Sequence, residues 1–302
     1  MRADIVQKES LTSGVVASVV VPFTPGGEVD QDKLRAEVKL LDESGVDGLC
    51  AGGLLSGVAG ARSEELYALC TNIRRNSQKP LFAMVFPDVT VEALEMTRAV
   101  ADGGAETILV AQPHYLCQPG EAGLVDMFAE LKSLVSCPLL LADCFPEAQV
   151  GLKTISTLIN NELVDGVLQA VDVHSLVDLL CLHPDVPIYS GIEDLHYVAF
   201  LLGVRGAISD LGAAFPRDLC GLYRSFRSGT HAEARIHHER LVRLWHVLSL
   251  TAEREGRLRS ALIAQGRKVG TAPSPYGELP AEVAREIANV VRGEGLTATG
   301  PA

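Results

Sequence analysis

Short apolar runs alternate along the chain with longer segments in which apolar residues recur every three or four positions. Runs rich in Val, Leu and Ala favour buried strands, and the longer repeat favours helices that pack against them. Eight strands are predicted, over 14–23, 48–53, 80–86, 107–111, 138–143, 165–171, 187–191 and 206–209. Strands that alternate with helices are typical of a parallel sheet. The pattern therefore predicts an α/β fold, a (β/α)₈ TIM barrel.

Local signals mark the helices between these strands. Asp30, Ser63 and Thr90 stand where helical repeats begin and carry side chains that cap a helix N-terminus. Gly45 and Gly103 stand just past helical repeats, where a glycine ends a helix without steric cost.

The chain changes character after the eighth strand and continues as helical segments predicted near 215–227, 231–255 and 280–292. These helices favour a C-terminal extension that packs on the barrel. The predicted organisation is an N-terminal segment over 1–12, the barrel over 13–229, a helical C-terminal extension over 230–292 and a flexible tail over 293–302.

Composition narrows the classes of partner. A net charge of -12 disfavours binding to nucleic acid or to anionic membranes, because both are negatively charged. No stretch of about 18 uncharged apolar residues predicts a membrane span, and no signal peptide is evident. The seven cysteines show no C-x-x-C spacing, which is typical of free thiols in a reducing compartment. We expect a cytoplasmic protein.

Candidate functional residues follow from the barrel, because catalytic groups of this fold lie at the C-terminal ends of the strands. The residues at those ends are Thr24, Leu54, Leu55, Ser56, His114, Tyr115, Asp143, Cys144, Gln169, Asp172, Ser190, Glu193, Asp194, Ser209 and Asp210.

Six segments, in order and spacing, are similar to one known family. They are 14–23, which ends in Pro-Phe, 45–49 (GVDGL), 113–115 (PHY), 190–194 (SGIED), 206–209 (GAIS) and the Gly-containing segment 262–276. Together they resemble the dihydrodipicolinate synthase and N-acetylneuraminate lyase family of class I aldolase-type enzymes over nearly the whole chain. The resemblance implies a barrel that forms homodimers or homotetramers and acts on a pyruvate-type oxo acid.

The resemblance also implies an imine between a strand-6 lysine and a 2-oxo acid. Such a lysine must be desolvated so that its pKa falls and its amine attacks a carbonyl. Leu168 stands at the position of that lysine in this chain. Strand alternation places Gly166, Leu168 and Ala170 on one face, so Leu168 is predicted to point into the barrel. Leucine cannot form an imine.

At other positions, too, this chain lacks a polar group that the family carries. Leu54 and Leu55 replace the two threonines of the loop that, in the family, binds the oxo-acid carboxylate. Ala142 stands where the family has its strand-5 tyrosine, and the following arginine has no counterpart in 146–151. Tyr115 matches a family tyrosine that reaches across a dimer interface.

A different lysine could in principle supply the amine. All seven lie in a terminus, a predicted helix or a loop before a strand: Lys8, Lys33, Lys39, Lys79, Lys132, Lys153 and Lys268. Lys153 is the nearest to a strand end, but it falls in the first turn of a predicted helix, where a solvated side chain is expected.

Two further chemistries stay open. Imidazole and carboxylate groups suit a metal site, although their spacing carries no ligand signature and metal is not expected. The groups in question are His114, Asp143, Glu193, Asp194 and His196. Cys144 with His114 as base is a weaker alternative, since a cysteine beside apolar strands is usually buried. Asp194 is expected to cap the helix that follows it.

The sequence thus predicts a barrel of this family without Schiff-base lyase activity, which binds a small molecule or has a regulatory or structural role. The alternative is a carbon-carbon or hydro-lyase for a pyruvate-type oxo acid that does not use the family lysine, with Tyr115 and Asp143 as candidate catalysts. No cofactor is expected; the ligand would be an oxo acid or a more apolar analogue. The predicted pocket consists of Leu54, Leu55, Ser56, His114, Ala142, Leu168, Gln169, Ser190, Asp194 and Ser209.

Overall fold

A computed structural model describes residues 11–58, 60–113, 118–250, 253–271 and 278–295. Eight parallel strands hydrogen-bond in chain order and close into a barrel, with β8 beside β1. They are β1 (Gly14–Ser18), β2 (Gly48–Ala51), β3 (Leu81–Val85), β4 (Thr107–Ala111), β5 (Leu139–Asp143), β6 (Gly166–Gln169), β7 (Ile188–Ser190) and β8 (Gly206–Ser209). The predicted TIM barrel is confirmed.

Helices surround the barrel and continue beyond it. The described helices are α1 (Gln31–Glu43), α2 (Ser63–Asn76), α3 (Thr90–Asp102), α4 (Glu121–Leu134), α5 (Leu152–Asn160), α6 (Val173–Leu182), α7 (His196–Leu202), α8 (Asp210–Ala214), α9 (Pro216–Arg227), α10 (His231–Leu248), α11 (Arg254–Ala264) and α12 (Ala281–Gly293). The Asp30 side chain caps α1 by accepting from the Lys33 N–H over 3.1 Å, as predicted. The described part of the chain contains no helix that is long and apolar enough to cross a membrane.

Several local predictions were wrong. Ser63 and Thr90 do not cap their helices, because each is the first helical residue and the N-cap residues of α2 and α3 are Arg62 and Val89. The first strand stops at Ser18, because the chain beyond it follows the β2 loop, and the Val21 N–H donates to the Ser56 carbonyl. The single helix predicted over 231–255 is two helices, and Arg257 supports the break by donating to the Val247 carbonyl over 2.9 Å. Asp194 does not cap α7, whose N-cap residue is Leu195.

Strand alternation divides the barrel residues between two cores. Odd and even positions of one strand point to opposite faces, so one set fills the barrel and the other meets the helices. The interior set is Leu11, Val16, Cys50, Phe82, Met84, Leu109, Ala111, Leu140, Ala142, Cys144, Leu168, Tyr189 and Ile208. The Tyr189 hydroxyl donates to the Thr12 carbonyl over 2.5 Å, and Leu11 joins the same interior cluster, so the segment before β1 closes the N-terminal end.

A buried arginine joins the C-terminal extension to the barrel through an ion pair and a hydrogen bond. Arg267 and Glu37 form an ion pair whose side chains are 1% and 5% exposed. Arg267 also donates to the Ala213 carbonyl over 2.7 Å. This pair joins the segment after α11 to α1. The rest of the predicted N-terminal segment, 1–10, and the tail over 296–302 lie outside the described residues.

Candidate site at the barrel mouth

The predicted pocket residues on alternating strand positions separate into two groups. Ala142 and Leu168 belong to the interior cluster, and Leu54 packs against that cluster from the loop after β2. Gln169 and Ser209 occupy the neighbouring positions of their strands and therefore face the helices. Only the first group can line a pocket that opens along the barrel axis.

Leu168 lies inside the barrel and is 2% exposed. In the strand register, Leu168 pairs with Ala142 of β5 on one side and with Tyr189 of β7 on the other. A Cβ atom built on Gly191 would stand 3.3 Å from a methyl carbon of Leu168, so the side chain also packs under the loop after β7. The inward orientation predicted from alternation is thus observed, and Leu168 belongs to the apolar cluster that fills the barrel.

Asp143 faces away from this interior and supports a loop. One carboxyl oxygen accepts from the Val150 N–H over 3.0 Å, and the other accepts from the Gln169 amide over 2.8 Å. The side-chain oxygen Oε1 of Gln169 in turn accepts from the Val171 N–H over 2.7 Å. Burial raises the pKa of the Asp143 carboxyl above its usual range. Both carboxyl oxygens of Asp143 therefore already have protein partners. The catalytic role of Asp143 stays a prediction.

The loop after β2, which the resemblance assigns to carboxylate binding, is held by the protein itself. The Ser56 hydroxyl is fully buried and donates to the Gly53 carbonyl over 2.6 Å. Leu55 donates its N–H to Oδ2 of Asp210 over 3.2 Å. From the extension, Arg259 packs against Gly57, which has no room for a Cβ atom because the guanidinium would lie 2.2 Å from it. The Leu55 N–H and the Ser56 hydroxyl of this loop are therefore committed to internal contacts.

A polar cluster stands at the ends of β7 and β8. Glu193 accepts from the Ser209 hydroxyl over 2.5 Å and from the Asp210 N–H over 2.7 Å. His196 is 1% exposed and contacts the Glu193 carboxyl over 3.1 Å and the Ser209 hydroxyl over 3.2 Å. The Ser190 hydroxyl accepts from the Ile192 N–H over 3.2 Å and takes no part in the cluster.

Asp210 was named among the strand-end residues but was left out of the predicted pocket. Burial, and then the charge of Glu193, raise the pKa of its carboxyl well above the usual range. The only signal in the sequence is an acid directly after an apolar strand, because the partner residues lie far away along the chain. Asp194, in contrast, was predicted to line the pocket and is exposed.

Two predicted residues, His114 and Tyr115, lie outside the described residues. Among the residues that are described, no three His, Cys, Asp or Glu side chains lie close enough to hold a metal ion. Burial raises the pKa of the Cys144 thiol, which makes this residue a poor nucleophile.

No lysine of the described part of the chain lies on a strand. Lys153, the nearest alternative amine, is 84% exposed in its side chain and pairs with Glu121 on α4 over 3.0 Å. Lys132 pairs with Asp165 over 2.5 Å, just before β6 and at the opposite end of that strand from the mouth. Lys8 lies outside the described residues.

Comparison with known proteins agrees with this architecture. The family model described as dihydrodipicolinate synthetase family matches residues 11–293. The 4-hydroxy-tetrahydrodipicolinate synthase of Brachyspira hyodysenteriae is 24% identical over 295 residues, which cover 95% of this chain and 99% of that protein. The corresponding synthase of Methanothrix thermoacetophila is 27% identical over 245 residues, which cover 78% of this chain and 82% of that protein.

Solved structures show the same fold. The Escherichia coli K12 prophage protein YagE, crystallised in complex with pyruvate, superposes with a TM-score of 0.89 at 23% identity, covering 95% of this chain and 100% of that one. N-acetylneuraminate lyase from Fusobacterium nucleatum superposes with a TM-score of 0.84 at 18% identity, covering 94% and 99%. Since one family model spans all eight strands and the extension, the chain belongs to the dihydrodipicolinate synthetase family.

Proposed function

We propose that this chain is a family barrel without Schiff-base lyase activity, whose mouth binds a small molecule or which has a regulatory or structural role. The observation that carries the proposal is Leu168, a hydrocarbon side chain that points into the barrel on β6. Imine catalysis needs an amine at the mouth, held with a lowered pKa so that it attacks a carbonyl. A leucine side chain has no lone pair to offer.

The surroundings of Leu168 support the same conclusion. Leu54 and Ala142 lie in or against the same apolar cluster, and neither offers a hydroxyl group for proton transfer. The interior-facing residues near the mouth also include Cys144 and Ala170. An oxo acid placed here would lose the hydration of its carboxylate without gaining side-chain donors from these residues.

Reduction with borohydride in the presence of pyruvate, followed by intact-mass measurement, tests the proposal directly. The full chain should show no added mass, whereas a family enzyme with a strand-6 lysine, treated in parallel, should gain one pyruvyl group. A stable adduct on this chain would overturn the proposal, and peptide mapping would identify the lysine that formed it.

The alternative is a lyase for a pyruvate-type oxo acid that works without an imine. Two relatives of this chain are named 4-hydroxy-tetrahydrodipicolinate synthases, and these names favour the alternative. Tyr115 and Asp143 would then be the candidate catalysts. Turnover of an oxo acid without a trapped adduct, lost on Tyr115→Phe or dependent on an added metal, would favour this alternative over the first proposal.

Self-association and location belong to the same proposal. We expect a homodimer or homotetramer in the cytoplasm, since the family resemblance implies the oligomer and the free-thiol pattern favours a reducing compartment. Sedimentation equilibrium of the purified chain checks the first expectation, and a single monomeric species at micromolar concentration would contradict it.

A further inference from the structure

A main-chain donor at the barrel mouth is already bound by a carboxyl group of the protein. Leu55, on the loop after β2, donates its N–H to Oδ2 of Asp210 over 3.2 Å. Asp210 begins α8 directly after β8, and 155 residues separate the two partners along the chain. Asp210 directly follows the C-terminal end of β8 and is 7% exposed, so this contact is buried at that end of the barrel.

The second oxygen of the same carboxyl group points to the corner between β1 and β2. A Cβ atom on Gly53 would lie 2.3 Å from Oγ of Ser18 and 2.7 Å from Oδ1 of Asp210. Burial, and then the charge of Asp210, raise the pKa of the Cys50 thiol on β2. Burial, the charge of Asp143 and then that of Asp210 raise the pKa of the Cys144 thiol that follows β5. The carboxyl group therefore acts electrostatically on the interior of the barrel.

Negative charge is already concentrated in this corner. Glu193 accepts from the main-chain N–H of Asp210 over 2.7 Å, and its side chain is 8% exposed. Burial, and then the charge of Glu193, raise the pKa of the Asp210 carboxyl well above its usual range. The carboxylate of a ligand would bring a further negative charge beside these two carboxyl groups in the same low-dielectric space.

We propose that Asp210 occupies, from within the chain, the position at which the carboxylate of an oxo acid would be held, so that the barrel mouth accepts an uncharged small molecule. This inference rests on the proposed function and specifies its ligand class. The Leu55 N–H is a donor that the loop would otherwise offer to an anion, and Asp210 already uses it. The side chains beside it, Leu54 and Leu168, favour a ligand with an apolar body.

Removal of the internal carboxyl group tests this assignment by chemical rescue. The full chain carrying Asp210→Ala should have an unpaired Leu55 N–H and a space of carboxylate size. Acetate or pyruvate should then raise the thermal unfolding midpoint of the variant in a saturable manner, as expected for a ligand that binds the folded state. The dissociation constant from this titration should be at least about tenfold lower than for the wild-type chain.

Asp210→Asn is the matched control, because its amide keeps a group of the same size against the Leu55 N–H. Acetate and pyruvate should leave the unfolding midpoint of this variant unchanged. If Asp210→Ala does not fold, Asp210→Ser opens the same space with a smaller change in polarity. Equal stabilisation of the wild-type chain by acetate or pyruvate, or no stabilisation of the Ala and Ser variants, would overturn the inference.

The two proposals fail in different ways. A pyruvyl adduct trapped on the wild-type chain by borohydride would refute the proposed loss of imine chemistry. Reversible binding of pyruvate to the wild-type chain, with no added mass after borohydride, would refute only the assignment of Asp210 as the internal occupant of the carboxylate position.

Discussion

Replacement of Leu168 by lysine tests both the apolar character of the barrel interior and the dependence of catalysis on its surroundings. The new amine would start from a side chain that is 2% exposed and packed between Ala142 and Tyr189. A lysine in such a place keeps its charge only at a cost, and burial lowers a lysine pKa by about 3 to 5 units from about 10.4. Each unit corresponds to about 1.4 kcal/mol of differential stability.

The lowered pKa decides in which direction the stability of the Leu168→Lys variant changes with pH. In the unfolded chain the amine is protonated below about pH 10.4, whereas in the folded chain it is protonated only well below that value. Folding must therefore release a proton at neutral pH, which costs about 4 to 5 kcal/mol at pH 7 and only about 1 kcal/mol at pH 9.5. Relative to the wild-type chain, Leu168→Lys should gain stability as the pH rises.

Urea unfolding of both chains at pH 7 and pH 9.5 measures this difference, with Leu168→Met as the volume-matched control that should cost less than about 1.5 kcal/mol at either pH. A Lys variant as stable as the wild-type chain at pH 7 would show that position 168 has polar surroundings, and the reasoning would be refuted. The variant should not turn over oxo acids even where its amine is neutral, because Leu54 and Ala142 stand at two positions for which the family resemblance implies proton-relaying hydroxyl groups. Substantial rescued lyase activity would contradict this expectation.

Three further substitutions probe the contacts that hold the mouth and the extension in place. Arg267→Met should cost about 3 to 5 kcal/mol in urea unfolding, because it leaves the buried Glu37 charge unpaired, and adding Glu37→Leu should recover much of that loss. Gln169→Leu should cost about 1 to 3 kcal/mol by removing the partner of one Asp143 oxygen and of a main-chain N–H; a loss within experimental error would show that water replaces the amide. Gly53→Ala should lower the thermal unfolding midpoint, with a loss of about 1 to 3 kcal/mol in the free energy of unfolding, because its methyl group would overlap Ser18. Unchanged stability would mean that the loop shifts freely.

Much of the fold could be predicted from the sequence because its information is periodic and local. The eight strands follow from short apolar runs, and the inward direction of Leu168 follows from strict alternation along β6. The same alternation implies that Asp143 and Gln169 face the helices, although both were counted at the mouth. The N-cap at Asp30 is equally local, since donor and acceptor lie three residues apart.

The break between α10 and α11 could not be predicted in this way. The segment over 231–255 keeps a helical repeat, so periodicity alone favours one helix. The structure ends α10 at Leu248, where Arg257, from the next helix, donates to the Val247 carbonyl. A helix end made by a side chain from another element leaves no local signal.

The sequence by itself determined the element order, the parallel barrel and which side chain of β6 points inward, since each depends on neighbours within a few residues. Only the tertiary structure decided that Asp210 binds the N–H of Leu55 and that Arg267 pairs with Glu37. These partners lie 155 and 230 residues apart and meet because barrel closure places β8 beside β1 and folds the extension back onto α1. The periodicity of a sequence reports which face a residue occupies, but it carries no record of which distant residue will face it.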